Sequence, residues 1–216
     1  MKEFDEMLEC SIDETDSDGL NLKIKFKECF KPFLELCRAD KESFYKRYYY
    51  VNLEGVNTYN LTDEQAFCIY SYTTSCSDWI NIGIRYKQEM TICKKYYADF
   101  LDESLDKISQ CSKEYIFRMD SPDQDQIQSW KKKRIGDTIN IPHFLSTSKE
   151  NWDEESTSTE WIIWRIKTLE LNSKARDISN VTNSREEKEV LFKRNSCFMI
   201  EAINIDSKLI DLIEID

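Results

Sequence analysis

Ser184-Arg185-Glu186-Glu187-Lys188-Glu189-Val190-Leu191-Phe192 is a charged, mostly acidic loop that runs directly into an apolar segment. The segment Glu189–Phe192 reads as a strand, since it ends in branched and aromatic side chains. In an extended chain, residues two apart share a face. Glu187 and Glu189 are therefore expected to look into one cleft, with Lys188 pointing away. Two carboxylates aimed at one space are costly unless a cation, or positive charge developing in a reaction, sits between them. Taken alone, the stretch is equally a solvated acidic turn before a strand.

Two segments upstream extend this reading. Phe144-Leu145-Ser146-Thr147-Ser148 is a strand that ends in hydroxyls, and Tyr115-Ile116-Phe117-Arg118-Met119 places an arginine inside an apolar strand. An arginine on such a strand needs an anionic partner, and its planar fork suits phosphate or carboxylate. A serine at a strand end can hold a carboxylate in one orientation. Strands are expected over Tyr115–Met119, Thr138–Ser146, Trp161–Leu171, Glu189–Phe192, Cys197–Ile203 and Lys208–Ile215. Ser121–Arg134 and Lys149–Thr159 read as polar connections. From about 20 to 110 the chain reads mainly helical. Leu61-Thr62-Asp63-Glu64-Gln65-Ala66 is a capping box with Thr62 as N-cap. A second helix is expected from about Asp78, carrying Trp79, Ile80, Ile84 and Arg85. A third carries Tyr97, Phe100, Leu101, Leu105 and Ile108 on one stripe, most simply a core face.

The 216 residues suffice for one substantial domain. Residues 1–18 hold eight acids and one lysine and read as a flexible acidic arm. Residues 19–216 read as a single α+β domain, with 19–110 mainly helical and 111–216 mainly β. The net charge of −11 argues against binding along a nucleic-acid backbone. No apolar run is long enough to span a bilayer. The N-terminus lacks the basic start and apolar stretch of a Sec-type leader. The eight cysteines show no CxxC spacing and read as reduced thiols of a cytoplasmic protein rather than a disulfide framework. The single histidine, His143, leaves little room for a His-ligated metal.

The ordered set of Arg118, then Phe144 two residues before Ser146-Thr147-Ser148, then Glu187-Lys188-Glu189 resembles the mono-ADP-ribosyltransferases of the arginine–serine–glutamate class. Ala66-Phe67-Cys68-Ile69-Tyr70-Ser71-Tyr72-Thr73 followed by Ile80-Asn81-Ile82-Gly83-Ile84-Arg85 is similar to the helical part of that family, and the likeness covers roughly residues 60–203. The resemblance implies a helical part packed on a split two-sheet β core. It implies NAD as the substrate, with no metal. Arg118 would grip the NAD pyrophosphate or adjacent ribose, and Ser146 would hold Glu189. Thr147 and Ser148 would support the nicotinamide pocket, with Phe144 helping to shape the NAD site; Asn81 and Arg85 would help shape it too or, equally, make hydrogen bonds along their helix face. Glu189 would stabilise the oxocarbenium-like transition state, and Glu187 would orient the nucleophile. Glu-x-Glu goes with arginine acceptors in this family. The implied partner is therefore a protein with an exposed arginine, with no nucleic acid or membrane partner and a monomeric enzyme.

The sequence departs from the family pattern in places. Met119 stands where many relatives have glycine, and Ser184-Arg185 where eukaryotic relatives carry an aromatic residue and a proline. Lys193-Arg194 replaces a Pro-Pro pair. The chain suits a toxin or injected effector delivered by a non-Sec route, a phage enzyme, or an intracellular eukaryotic member. Two other readings stand beside arginine transfer: an NAD glycohydrolase using water, and a non-catalytic NAD-binding or interaction module. Among other residues, Lys131-Lys132-Lys133-Arg134 reads as a solvated loop or a dock for an acidic partner. Trp152 reads as a surface aromatic or a cover for nicotinamide, Gly136-Asp137-Thr138 as a turn, and His143 as a strand histidine.

Overall fold

The computed structural model describes residues 11–15, 21–25, 58–86, 90–151 and 161–216. They fall into two compact units divided after Ile108, with Asn180–Asn183 counted in the first. The first ten residues of the expected arm, Trp152, and Cys10, Cys29 and Cys37 lie outside the described residues.

In the first unit, β1 (Ser11–Thr15) and β2 (Asn21–Lys25) pair antiparallel, with Ile12 opposite Ile24. β1 thus lies inside the stretch read as an arm, and β2 inside the stretch read as helical. The β-branched Ile12, Thr15 and Ile24 favour the extended backbone over that reading. Helix α1 (Asp63–Ser71) starts at the expected capping box. Thr62 Oγ1 accepts from the Gln65 N–H at 3.3 Å, and Gln65 Oε1 accepts from the Thr62 N–H at 3.0 Å. Such caps contribute about 1 kcal/mol each. A π-helical turn, Tyr72–Cys76, follows before α2 (Ser77–Arg85). Hydroxyls bond back to the helix there, Thr73 to the Tyr70 carbonyl at 2.9 Å and Thr74 to the Ser71 carbonyl at 2.8 Å. This widened turn was not expected from the sequence. Helix α3 (Ile92–Asp106) buries Tyr97, Ala98, Leu101, Ser104 and Leu105 at helical spacing. The Tyr97 hydroxyl, 3.1 Å from Ser71 Oγ, donates to the Cys68 carbonyl at 3.0 Å, so a fully buried phenol keeps its polar end satisfied.

The second unit is a mixed eight-stranded sheet in the order β4-β9-β10-β6-β3-β5-β8-β7. The strands are β3 (Tyr115–Asp120), β4 (Thr138–Ile141), β5 (Leu145–Ser148), β6 (Ile162–Lys167), β7 (Ala175–Asp177), β8 (Glu189–Phe192), β9 (Ser196–Asn204) and β10 (Leu209–Ile215). β3 and β5 meet at a single register pair, Phe117 with Ser148. Six pairs, by contrast, join β3 to β6. The sheet therefore divides at that junction into five strands and three, the split β core expected from the resemblance. Its apolar core includes Ile116, Trp164, Ile166, Val190, Phe192, Phe198 and Ile210.

The expected strand Thr138–Ser146 is two strands. Ile141 pairs with Ser196 of β9 and Ser146 with Leu191 of β8, so the chain changes half-sheet between them. Pro142, which has no N–H for a ladder, stands at the break. His143 is buried in this crossover rather than in a strand. Ser121–Arg134, read as a connection, contains helix α4 (Gln124–Lys131), whose N-cap Asp123 forms a capping box with Gln126. No α4 residue is fully buried, which is why no apolar stripe marked it. The run Trp161–Leu171 is strand only as far as Lys167. No helix among the described residues is long and apolar enough to cross a membrane. No group of three or more His, Cys, Asp or Glu there could hold a metal ion.

Candidate active site

The antiparallel pairing of β5 with β8 sets Ser148 opposite Glu189 and Ser146 opposite Leu191. Opposite residues share a face and so do residues two apart, which makes Ser146 the diagonal neighbour of Glu189. Ser146 Oγ donates to Glu189 Oε1 at 2.6 Å. Thr147 faces the other side, and its hydroxyl donates to the Val190 carbonyl at 2.7 Å. Ser148 Oγ donates to the Glu187 carbonyl at 2.8 Å. Each hydroxyl of Ser-Thr-Ser thus fastens a different point of the segment Glu187–Val190.

Arg118 is tied to the same serine. Its Nη1 donates to the Ser146 carbonyl at 2.8 Å, and its Nη2 donates to Asp120 Oδ1 at 3.2 Å. The guanidinium carbon lies 6.0 Å from the centre of the Trp164 ring, within reach of a cation–π contact. Arg118 Nε is buried and has no hydrogen-bond partner among the described residues. A buried donor left unpaired is costly. Ser146 therefore couples the cation to the carboxylate, holding Arg118 by its carbonyl and Glu189 by its hydroxyl.

Glu187 reaches the site by a route different from the one expected. Arg185–Glu187 is a single 3₁₀ turn, and Lys188 is left-handed, with φ 46° and ψ 44°. The strand begins only at Glu189, so the alternation argument does not apply across Lys188. The tight turn nonetheless brings both acids to one cavity of about 330 Å³, lined by Phe117, Arg118, Met119, Ser146, Thr147, Ser148, Glu187 and Glu189. That volume lies near the lower end of the range for small-molecule sites, about 300–1,000 Å³.

Glu187 is exposed and Glu189 is 5% exposed. Burial pushes the Glu189 carboxyl up, the Ser146 hydrogen bond opposes this, and the Glu187 charge adds to the rise; the result is about 7. A carboxyl titrating there switches its charge near neutrality.

Three other expected site residues are Phe144, Asn81 and Arg85. Phe144 is 1% exposed, packs beneath the Arg194 guanidinium at 5.7 Å, and does not line the cavity. Its place is that of a core ring just ahead of β5. Asn81 and Arg85 belong to α2 of the first unit, where Asn81 Nδ2 donates to the Tyr72 hydroxyl at 2.9 Å. Residues not assigned to the site from the sequence include Phe117 and Met119, which line the cavity, and Asp120 and Trp164, which hold Arg118. Asp120 was within reach of the sequence, since it stands two residues from Arg118 on one strand.

The profile of the ADP-ribosyltransferase exoenzyme family matches residues 52–214. Similar solved structures include the Clostridium limosum C3 exoenzyme, 19% identical over 76% of this chain and 91% of that one, with a TM-score of 0.63. The ADP-ribosyltransferase Vis from Vibrio splendidus, in complex with agmatine, is 18% identical over 83% of this chain and 87% of that one, at 0.59. Exoenzyme S from Pseudomonas aeruginosa, bound to carba-NAD and human 14-3-3 protein beta, is 15% identical over 87% of this chain and 86% of that one, at 0.60. At these identities the structural likeness speaks to the fold. No curated protein sequence matches the chain.

Proposed function

The chain belongs to the ADP-ribosyltransferase exoenzyme family, whose members take ADP-ribose from NAD, and from that premise we propose that the acceptor is an arginine side chain of a target protein. The observation that carries this reading is the pair of unlike carboxylates on one cavity, a buried Glu189 fixed by Ser146 and an exposed Glu187 on the turn before it. We assign the two units jointly to one catalytic domain, 19–216, acting as a monomer. The family match spans residues of both units.

NAD supplies the chemistry by carrying a positively charged leaving group on its ribose. Arg118, which lines the cavity, binds the phosphates through its guanidinium. Glu189, ionised above about pH 7, faces the positive charge that develops at the ribose carbon as the bond to nicotinamide breaks. Nicotinamide leaves with that electron pair. A guanidinium nitrogen of the acceptor then forms the new bond to the ribose carbon, and Glu187 aligns it and takes its proton. Arginine stays protonated in water, so it gains most from such a carboxylate. Agmatine, the ligand in the Vis complex, carries the same guanidinium head group. Thr147 and Ser148 hold the strand and turn that place the two acids. The exoenzyme family assignment favours action in a recipient cell after secretion or injection.

The test is labelled NAD with purified protein and a lysate, following label on protein and free nicotinamide together. Label on a discrete band, released by neutral hydroxylamine, is the expected result. Nicotinamide without labelled protein, with agmatine also unlabelled, would replace this reading by a glycohydrolase.

A further inference from the structure

We propose that Lys149 and Asp177 form a clamp that positions the turn bearing Glu187, and so set the balance between transfer to an acceptor and loss of ADP-ribose to water. The proposal rests on the arginine-transfer reading for its functional consequence and on geometry for its structural one.

Lys149 follows directly after the Ser-Thr-Ser strand. Its backbone N–H donates to the carbonyl of the left-handed Lys188 at 3.1 Å. Its ammonium reaches across β8 to the end of β7, donating to Asp177 Oδ2 at 2.8 Å and Ser179 Oγ at 3.1 Å. Asp177 Oδ1 also accepts from the Ser179 hydroxyl at 2.6 Å and the Ser179 N–H at 3.2 Å. The next backbone N–H, of Ile178, donates to the Glu189 carbonyl at 3.2 Å. Lys149 thus grips the turn with its backbone and the far strand with its side chain.

The pair is sheltered, with side chains 20% and 32% exposed. Burial pushes the Asp177 carboxyl up, but Lys149 and Ser179 outweigh it and hold the carboxyl below its ordinary value. The carboxylate therefore stays charged well below neutrality, and the clamp stays closed across the working pH range.

The clamp acts unequally on the two acids. The Glu189 side chain is fixed within the β5–β8 ladder by Ser146. The Glu187 side chain projects from a turn whose Arg185 carbonyl accepts from the Lys188 N–H within the turn, and whose Glu187 and Lys188 carbonyls are held from the Ser148–Lys149 side, by Ser148 Oγ and the Lys149 N–H. Lys188 is a non-glycine residue at positive φ, a strained conformation that persists only where its surroundings enforce it. Loosening Lys149 should let this turn relax while leaving Glu189 in place. Lys149 and Asp177 are in this sense positioning residues.

The experiment compares Lys149→Met, Asp177→Asn and Lys149→Arg with the parent protein. It measures labelling of agmatine, nicotinamide release without acceptor, and amide exchange. Lys149→Met is expected to lower the ratio of agmatine labelling to NAD cleavage about tenfold, with the KM for NAD unchanged. Asp177→Asn should lower the ratio less, and Lys149→Arg should restore most of it. Faster exchange at the amides of residues 149 and 178 should accompany the loss. An unchanged ratio in Lys149→Met with unchanged exchange overturns the proposal. An equal fall in both activities overturns it too, because that is a general structural effect. If the parent protein labels no agmatine, the arginine reading fails by itself, and exchange at residues 149 and 178 still decides the clamp. If Lys149→Met does not fold, Asp177→Asn carries the same comparison.

Discussion

Glu187 and Glu189 are two residues apart, carry the same chemistry and line the same cavity, yet the protein treats them in opposite ways. Glu189 opens a strand, is 5% exposed, and is bonded to Ser146 at 2.6 Å. Glu187 ends a 3₁₀ turn, is exposed, and is separated from the strand by a residue at positive φ. The difference is one of backbone rather than of side chain. A strand inside a sheet fixes a group against a small, invariant reactant. A turn held by a few hydrogen bonds presents a group to something that arrives from outside. The cost of the first arrangement is desolvation, seen in the raised Glu189 carboxyl.

The sharpest way to break the comparison is Glu189→Gln. Both NAD cleavage and transfer should fall by about 10³-fold or more, since the charge proposed to face the reacting carbon is gone. The same variant should be more stable than its parent at pH 8. The folded carboxyl titrates at about 7 and the unfolded one near 4.5, so between those values the folded state holds the extra proton. Stability therefore falls as pH rises through that window, and above it ionised Glu189 costs on the order of 3 kcal/mol. Glutamine should recover part of this at pH 8 and little at pH 4, read as the change in melting temperature. A higher pH 4 gain than pH 8 gain would contradict the burial argument.

Glu187→Ala separates the two acids. Transfer to agmatine should drop by about 10²-fold while nicotinamide release stays within about threefold. Full retention of transfer would remove Glu187 from its assigned role. Arg118→Lys keeps the charge but loses the fork and should raise the KM for NAD about tenfold, with a smaller change in kcat. Ser146→Ala is the mildest and sharpens the comparison most. The serine hydrogen bond lowers the Glu189 carboxyl, so its loss should move the acid limb of NAD cleavage to higher pH. The rate at pH 6.5 should fall about fivefold, with little change at pH 9. A limb that moves downward would show that the bond favours the protonated form.

Much of this site was legible because its parts are local and patterned. Arg118 stands in an apolar strand, Ser146 at a strand end and Glu189 at a strand start, and it was the resemblance to a known family that joined them; that β5 lies beside β8 is seen only in the sheet order. Strand alternation failed between Glu187 and Glu189, because nothing in Lys188 announces a left-handed residue where glycine or asparagine is usual. Pro142 marks the break between β4 and β5, yet the expected strand Thr138–Ser146 ran straight through it. Helix α4 had its capping box in Asp123 and Gln126 and was still missed, since a helix with no fully buried residue has no apolar stripe. The Lys149–Asp177 pair could not be found at all: the contact crosses from β5 to β7 over β8, and only the sheet order reveals it. Phe144 was read from its place in a motif, and its burial shows a packing role that spacing alone does not distinguish.

The junction between the half-sheets also governs when the protein becomes an enzyme. Arg118 and Ser146 are 28 residues apart and Ser146 and Glu189 are 43 apart, so no contiguous segment carries a working site. Non-local strand pairings of this kind form slowly, because loop entropy is lost before contacts repay it. A nascent or unfolded chain therefore has no means of cleaving NAD, whatever cell it occupies. Closure of β5 against β3 and β8 is therefore the folding event that first brings Arg118, Ser146 and Glu189 together.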